Sequence, residues 1–165
     1  MSEFKPLDPT ACGLFLVAAI SLPLAFSCLF DEAKFGVPAE LFMLIGFLIV
    51  VVALLAYRAE SNFGFTVFLL VGAAVFATGY GLGNVGALVF GIIFVMCIIW
   101  SVLAKTPKNL TLILCTTAAI FLIVGIAGIT ESDLNTILGI VALANFALNF
   151  YMASALASDG KFPVF

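Results

Sequence analysis

Six predominantly apolar stretches of about 20 residues follow one another along this chain, separated by short segments with charged or turn-forming residues. This is the length that an α-helix needs to cross the hydrocarbon core of a bilayer. Only 9% of the residues are charged and 65% are hydrophobic, whereas about a quarter of a typical soluble domain is charged. We therefore predict an all-α, polytopic membrane protein with spans at residues 12–30, 38–57, 63–81, 85–104, 110–128 and 136–157.

The connections between the predicted spans are short. Short connections force consecutive helices to lie side by side and antiparallel. Residues 1–165 are thus expected to form one compact six-helix bundle, a single transmembrane domain. At the third connection, the glycine-rich segment 79–86 leaves a longer or a broken helix open as an alternative.

The basic residues are distributed unequally between the two sides of such a bundle. With six spans, both termini and the second and fourth connections share one side of the membrane. That side carries Lys5, Arg58, Lys105, Lys108 and Lys161, and the opposite side carries only Lys34. The positive-inside rule then places both termini in the cytoplasm of a plasma (inner) membrane protein.

Composition disfavours several classes of function. The chain has no His, the commonest general base and metal ligand, and no charged side chain in the middle of a span. It also lacks a basic block that would neutralise nucleic-acid phosphates. We expect no catalytic constellation, metal, cofactor or nucleic-acid partner, and any polar path must use hydroxyls, amides and backbone.

Two amides in the sixth span are the clearest polar feature. Asn145 and Asn149 are spaced i, i+4 and project from one helix face, which must look at protein or water because lipid satisfies no amide. Hydrogen bonding between helices and contact with a solute both remain open for this pair. Further hydroxyl candidates for a path are Thr66 in the third span, Thr116 and Thr117 in the fifth, and Tyr151 in the sixth.

Two predicted helix starts lie on the cytoplasmic side. In the first, Asp8 is a favoured N-cap residue, with Pro9 at the first helical position and Thr10 after it. In the second, Asn62 is the expected N-cap before Phe63, Gly64 and Thr66. Free amides at a helix start can hold an anion without a basic side chain. Ordinary capping explains the same residues.

Three segments resemble the acetate uptake transporter family, also called the succinate-acetate permeases. Asp8-Pro9 followed by Gly13-Leu14 resembles the family's entry motif Asn-Pro-Ala-Pro-Leu-Gly-Leu, although Asp8, Thr10, Ala11 and Cys12 depart from it. The stretch 57–72, with Asn62, Phe63, Gly64, Thr66 and Phe68, is similar to the family's connection between its second and third helices. Tyr151, Gly160, Phe162 and Pro163 resemble its sixth helix and tail.

The resemblance implies six spans with cytoplasmic termini, a homohexamer, and a narrow apolar gate formed by the first, third and fifth helices. Matched by spacing, the gate positions are Val17, four after Gly13, and Val71, eight after Phe63, with the fifth-helix partner near Thr116 and Thr117. Both valines are smaller than the family's bulky gate residues. Phe15 or Phe68 is the alternative for closing the path.

The sequence therefore predicts a transporter or channel for a small monocarboxylate such as acetate, with a pore in each protomer. One alternative is a channel for a small neutral solute, similar to the urea and amide channels. Another is a membrane scaffold whose polar residues only join helices.

Overall fold

The computed structural model describes residues 8–30, 32–158 and 161–163. Within these ranges the chain forms seven helices: α1 (Thr10–Leu29), α2 (Glu32–Phe35), α3 (Ala39–Arg58), α4 (Asn62–Gly79), α5 (Asn84–Leu103), α6 (Lys108–Thr130) and α7 (Asn135–Ala157). All of them except the short α2 are long and apolar enough to cross a membrane. The protein is an integral membrane protein of the all-α class, as the sequence predicts.

The six long helices begin and end within two residues of the predicted spans. The sequence did not predict α2, a single turn inside the first connection. At the third connection α4 ends at Gly79, because Gly81 and Gly83 both adopt positive φ angles that no right-handed helix contains. The alternative of a longer helix through this segment is therefore wrong.

Two predicted caps are displaced by one residue. Pro9 is the N-cap of α1 rather than its first helical residue, and Asp8 Oδ1 accepts hydrogen bonds from the backbone N–H and the hydroxyl of Thr10. Ser61, not Asn62, is the N-cap of α4, because its hydroxyl accepts the backbone N–H of Gly64, three residues into the turn.

The long helices pack as three intimate pairs, α3 with α4, α5 with α6, and α1 with α7. Glycines allow close approach within the pairs. A Cβ on Gly46 of α3 would overlap the backbone nitrogen of Phe76 on α4, and one on Gly125 of α6 would lie 2.8 Å from the backbone nitrogen of Leu88 on α5. Contacts of α6 with α7 and of α1 with α3 join the pairs into one bundle.

The turns of the α3–α4 and α5–α6 pairs have the same backbone geometry. Glu60 and Lys105 adopt left-handed φ angles of 59° and 53°, and each is followed by a residue whose N–H closes the preceding helix. Ser61 donates to the Ala56 carbonyl, and Thr106 donates to the Ser101 carbonyl. Both turns therefore carry the hydrogen bond of a Schellman cap and return the chain antiparallel.

The outer surface of the bundle is apolar over most of its height. The helices α3 and α5 expose large aliphatic and aromatic side chains, among them Phe47, Leu54, Val89, Ile92 and Val102. The buried core lies between the helices and includes Ile49, Phe94 and Leu114. An apolar exterior around a tightly packed core is what a bilayer-embedded bundle requires.

Candidate functional site

Two cavities lie inside the bundle, toward its opposite ends. The terminal cavity, about 120 Å³, lies at the end that carries Thr10 of α1 and Leu110 of α6. The distal cavity, about 440 Å³, lies at the end where Gly81–Gly83 join α4 to α5. Most lining residues of both cavities come from α1, α4 and α6. These three inner helices therefore enclose a line of open space along the bundle.

Three side chains line both cavities: Val17 of α1, Val71 of α4 and Thr117 of α6. All three are buried, with exposed fractions of 5–7%. A residue shared by two cavities stands between them, so this trio forms the constriction of the path. Two faces of the constriction are methyl groups, and the third carries a hydroxyl.

The terminal cavity is surrounded by helix N-termini. Thr10 opens α1, Ser61 caps α4, and Leu110 belongs to the first turn of α6, and all three residues line this cavity. The unpaired N–H groups of a first helical turn carry a partial positive charge. No charged side chain is among the described residues that line either cavity. The dipoles of α4 and α6 therefore contribute positive potential at this mouth, whereas the Asp8 carboxylate, which accepts the Thr10 N–H, offsets that of α1.

A buried amide network joins three helices at the level of the constriction. The Asn145 amide nitrogen donates to Thr116 at 2.8 Å and to Thr117 at 2.9 Å. Its Oδ1 accepts from Ser21 at 2.8 Å and from Asn149 at 3.0 Å. The network links α7 to α1 and α6 and fixes the constriction hydroxyl of Thr117.

The hydroxyl protons of this network are engaged inside the protein. Thr117 donates to the Ile113 carbonyl at 2.8 Å, and Ser21 donates to Val17 O or Asn145 Oδ1. The Asn149 amide nitrogen donates to the backbone carbonyl of Asn145 at 2.8 Å, and this bond fixes the orientation of the Asn149 side chain. Its Oδ1 is buried and has no hydrogen-bond partner among the described residues. The polar atoms of the network that remain available for hydrogen bonding are thus acceptors.

The structure brings together part of the predicted site. The predicted residues that line a cavity are Thr10, Val17, Phe63, Gly64, Val71, Thr117, Asn145 and Asn149. The remainder, which line neither cavity, are Asp8, Pro9, Gly13, Asn62, Thr66, Thr116 and Tyr151.

The residues outside the cavities have other contacts. Gly13 lies against the ring of Phe68, Thr66 donates to the Asn62 carbonyl, and the Tyr151 hydroxyl donates to the Pro163 carbonyl at 2.6 Å. Thr116 reaches the site only indirectly, by accepting from Asn145. These positions support the helices around the path.

The two aromatic candidates for the gate lie in different environments. Phe15 is 36% exposed and packs edge-on against Phe150 on the outside of the bundle. Phe68 is buried and lines the terminal cavity, one helical turn from Val71. Only Phe68 is therefore placed to narrow the path beside the constriction.

Sequence reasoning missed two polar features. Asn109, assigned to a connection, is fully buried in the first turn of α6, where its amide nitrogen lies 3.5 Å from the Leu148 carbonyl. Ser101, Thr106 and Thr111 form a hydroxyl cluster beneath the α5–α6 turn. Spacing gives no signal for either, because Asn109 meets Leu148 only when α6 packs against α7, and the three hydroxyls meet only when the α5–α6 pair folds back.

The fold and the enclosed path define a six-helix integral membrane protein with a candidate route for a small solute. No protein-family model and no curated protein sequence matches the chain. Among solved structures, the chain is similar to the bacterial acetate channel SatP, with a TM-score of 0.82 and 16% identity over 96% of this chain and 99% of that one. This likeness confirms the fold that the sequence resemblance implies.

Proposed function

We propose that the protein is a membrane channel or transporter for acetate and similar small monocarboxylates, related to the succinate-acetate permeases. The observation that carries the proposal is the pair of cavities toward opposite ends of the bundle that share the Val17–Val71–Thr117 constriction. The fold shared with an acetate channel over nearly the whole chain supports acetate as the solute. We propose no enzymatic role.

The helix ends at the terminal cavity would attract the carboxylate. The N-terminal dipoles of α4 and α6 favour a negative charge at this cavity, whereas at α1 the Asp8 carboxylate already accepts the Thr10 N–H. At the constriction the solute would lose most of its water, and the Thr117 oxygen offers little to a full negative charge. Passage would therefore be limited at the trio, where a small solute is favoured.

The charges of the described residues support a membrane orientation. The terminal end carries Arg58, Lys105, Lys108 and Lys161, whereas Lys34 is at the distal end. For the proposed location in the plasma membrane, the positive-inside rule supports an orientation in which the terminal cavity faces the cytoplasm. The family resemblance supports a homohexamer with one path in each protomer, and a bundle this small leaves its exposed α3 and α5 faces for lipid or neighbours.

Uptake of labelled acetate into liposomes tests the proposal. Purified protein is expected to accelerate uptake over empty liposomes, and Val71→Trp, which adds a large ring at the constriction, is expected to abolish the gain. A matched change at the exposed surface, Val89→Trp, is expected to leave uptake unchanged. Equal uptake in protein-containing and empty liposomes would refute transport and leave the scaffold interpretation.

A second candidate is a channel for a small neutral solute that donates hydrogen bonds, such as urea or acetamide. The observation in its favour is the unpartnered acceptor of Asn149 beside a constriction whose protons are already engaged. This oxygen is enclosed in the structure, and an amide or urea N–H that reached it would satisfy it, whereas a carboxylate would not. Uptake of acetate, acetamide and urea in the same liposomes separates the two candidates by which solute is fastest.

A further inference from the structure

The distal cavity is larger than the solute proposed for the path. Its volume of about 440 Å³ falls in the range of about 300–1,000 Å³ typical of small-molecule sites. At about 30 Å³ per water molecule in the liquid, it has room for more than ten waters. Acetate, with a single methyl group, would leave most of this space unfilled.

Between its two ends, the distal cavity has apolar walls. Between the constriction and the mouth, the inner helices present Ile20 and Leu24 from α1, Val75 from α4, and Ile120 and Phe121 from α6. Among the described lining residues, polar side chains lie only at the two ends. Ser21 and Asn145 lie near the constriction with Thr117, and Thr78 and Asn84 lie at the mouth.

This distribution matches an amphiphile with one polar end. A charged head is costly to bury, so it stays in water at the mouth, beside the exposed Asn84. A saturated chain gains about 0.8 kcal/mol for each methylene that it moves from water into an apolar site. The constriction at Val71 stops the chain from passing while the head remains hydrated.

The depth of the cavity sets the length of chain that fits. Val71 at the constriction and Thr78 at the mouth lie seven residues apart on α4, or about 10 Å at 1.5 Å per residue. An extended chain advances about 3.5 Å per three bonds, so this depth accepts roughly eight bonds. Val75, about 4.5 Å below the mouth, divides the depth nearly in half.

We propose that the distal cavity is a binding site for the alkyl chain of medium-chain monocarboxylates, which block the path from the distal side. This inference rests on the proposed transport of small monocarboxylates. Affinity rises with chain length to an optimum near eight carbons. Longer chains outgrow the cavity and bind no more tightly.

Inhibition of labelled acetate uptake by unbranched acids from four to twelve carbons, added to the distal side, tests the proposal. In the parent protein the half-inhibitory concentration should fall about fourfold per methylene, which corresponds to about 0.8 kcal/mol, up to about eight carbons. Empty liposomes with an entrapped dye control for leakage caused by the longer acids.

Substitutions that fill the cavity should move the optimum. Val75→Phe places a ring at half depth and should shift the optimum to about four carbons. Val124→Phe narrows the mouth from a partly exposed position that tolerates bulk, and should weaken octanoate inhibition at least tenfold. Val89→Phe, on the exposed face of α5, is the matched control and should keep the parent's optimum.

Direct binding separates this inference from the proposed function. If the parent protein moves no acetate, the transport proposal fails, and equilibrium binding of labelled octanoate to protein in lipid nanodiscs then tests the cavity alone. Binding or inhibition that is independent of chain length, as expected if a bilayer lipid occupies the cavity, overturns the proposal. The same optimum in Val75→Phe and Val124→Phe as in Val89→Phe also overturns it.

Discussion

Asn145 and Asn149 are one helical turn apart and both fully buried, yet the structure predicts different consequences for their loss. Asn145 makes three hydrogen bonds shorter than 3 Å to other helices, with Ser21, Thr116 and Thr117, and a longer one of 3.4 Å to the Ile113 carbonyl. Among the described residues, Asn149 bonds only to Asn145 in its own helix, and its side-chain oxygen has no partner. We expect Asn145→Leu to destabilise the bundle and Asn149→Leu to leave its stability nearly unchanged.

The magnitude follows from the bonds that are lost. Hydrogen bonds between membrane helices contribute about 0.6 kcal/mol on average and at most about 1.7 kcal/mol. Three of them give about 2 kcal/mol for Asn145→Leu, in which leucine keeps the branched heavy-atom skeleton of asparagine but none of its hydrogen bonds. Asn149→Leu loses bonds within α7 but also removes a buried, unpartnered acceptor, so its net cost should stay below about 1 kcal/mol.

Unfolding of both variants in mixed micelles, followed by circular dichroism, measures the stability difference. Acetate uptake in liposomes gives a separate readout, in which Asn149→Leu should reduce flux because the amide lines the terminal cavity. Equal destabilisation by the two variants would refute the distinct roles. Unchanged acetate flux in a folded Asn149→Leu protein would indicate that the Asn149 amide serves only in helix packing.

Three further predictions test topology, the constriction and helix packing. In a cysteine-free background, a membrane-impermeant thiol reagent applied to intact cells should label Ser132→Cys and spare Lys108→Cys; labelling of the latter would invert the proposed orientation. Val71→Tyr should lower the uptake ratio of a four-carbon acid to acetate, because a ring at the constriction excludes bulk first; an unchanged ratio would place the selectivity filter elsewhere. Gly46→Ala should destabilise the bundle by about 1–3 kcal/mol, because its Cβ meets α4 backbone, whereas Gly86→Ala meets only the flexible Leu82 side chain and should cost less; equal costs would contradict the close α3–α4 packing.

The helices were predictable because each one needs only length and apolarity, which composition reveals directly. The helix N-caps were harder to predict. Ser61 and Asn62 are both good N-cap residues, and only the position of the Gly64 N–H decides between them. Spacing from Gly13 and Phe63 pointed to Val17 and Val71, which the structure places together. It did not separate Thr116 from Thr117, because adjacent residues on a helix differ in direction by about 100° and the partner faces are unknown from sequence.

The distal cavity had no counterpart in the sequence. Its walls are aliphatic residues such as Ile20, Val75 and Ile120. In the sequence of an apolar helix, such residues cannot be told from residues of the packed core. A cavity forms where neighbouring helices do not pack against one another, so the sequence of a single helix does not reveal it. The unpartnered oxygen of Asn149 is hidden for the same reason, since its isolation depends on what α6 and α7 leave between them.

The pairing of α1 with α7 bears on how the chain assembles during synthesis. These two helices are the farthest apart in the sequence, so α1 enters the bilayer long before its partner exists, with Ser21 lacking the Asn145 oxygen. The other two pairs are complete as soon as each hairpin is inserted. Cutting the chain at the α2 turn and joining α7 to α1 by a short loop would make three consecutive hairpins, a circular permutant whose every helix inserts directly beside its partner.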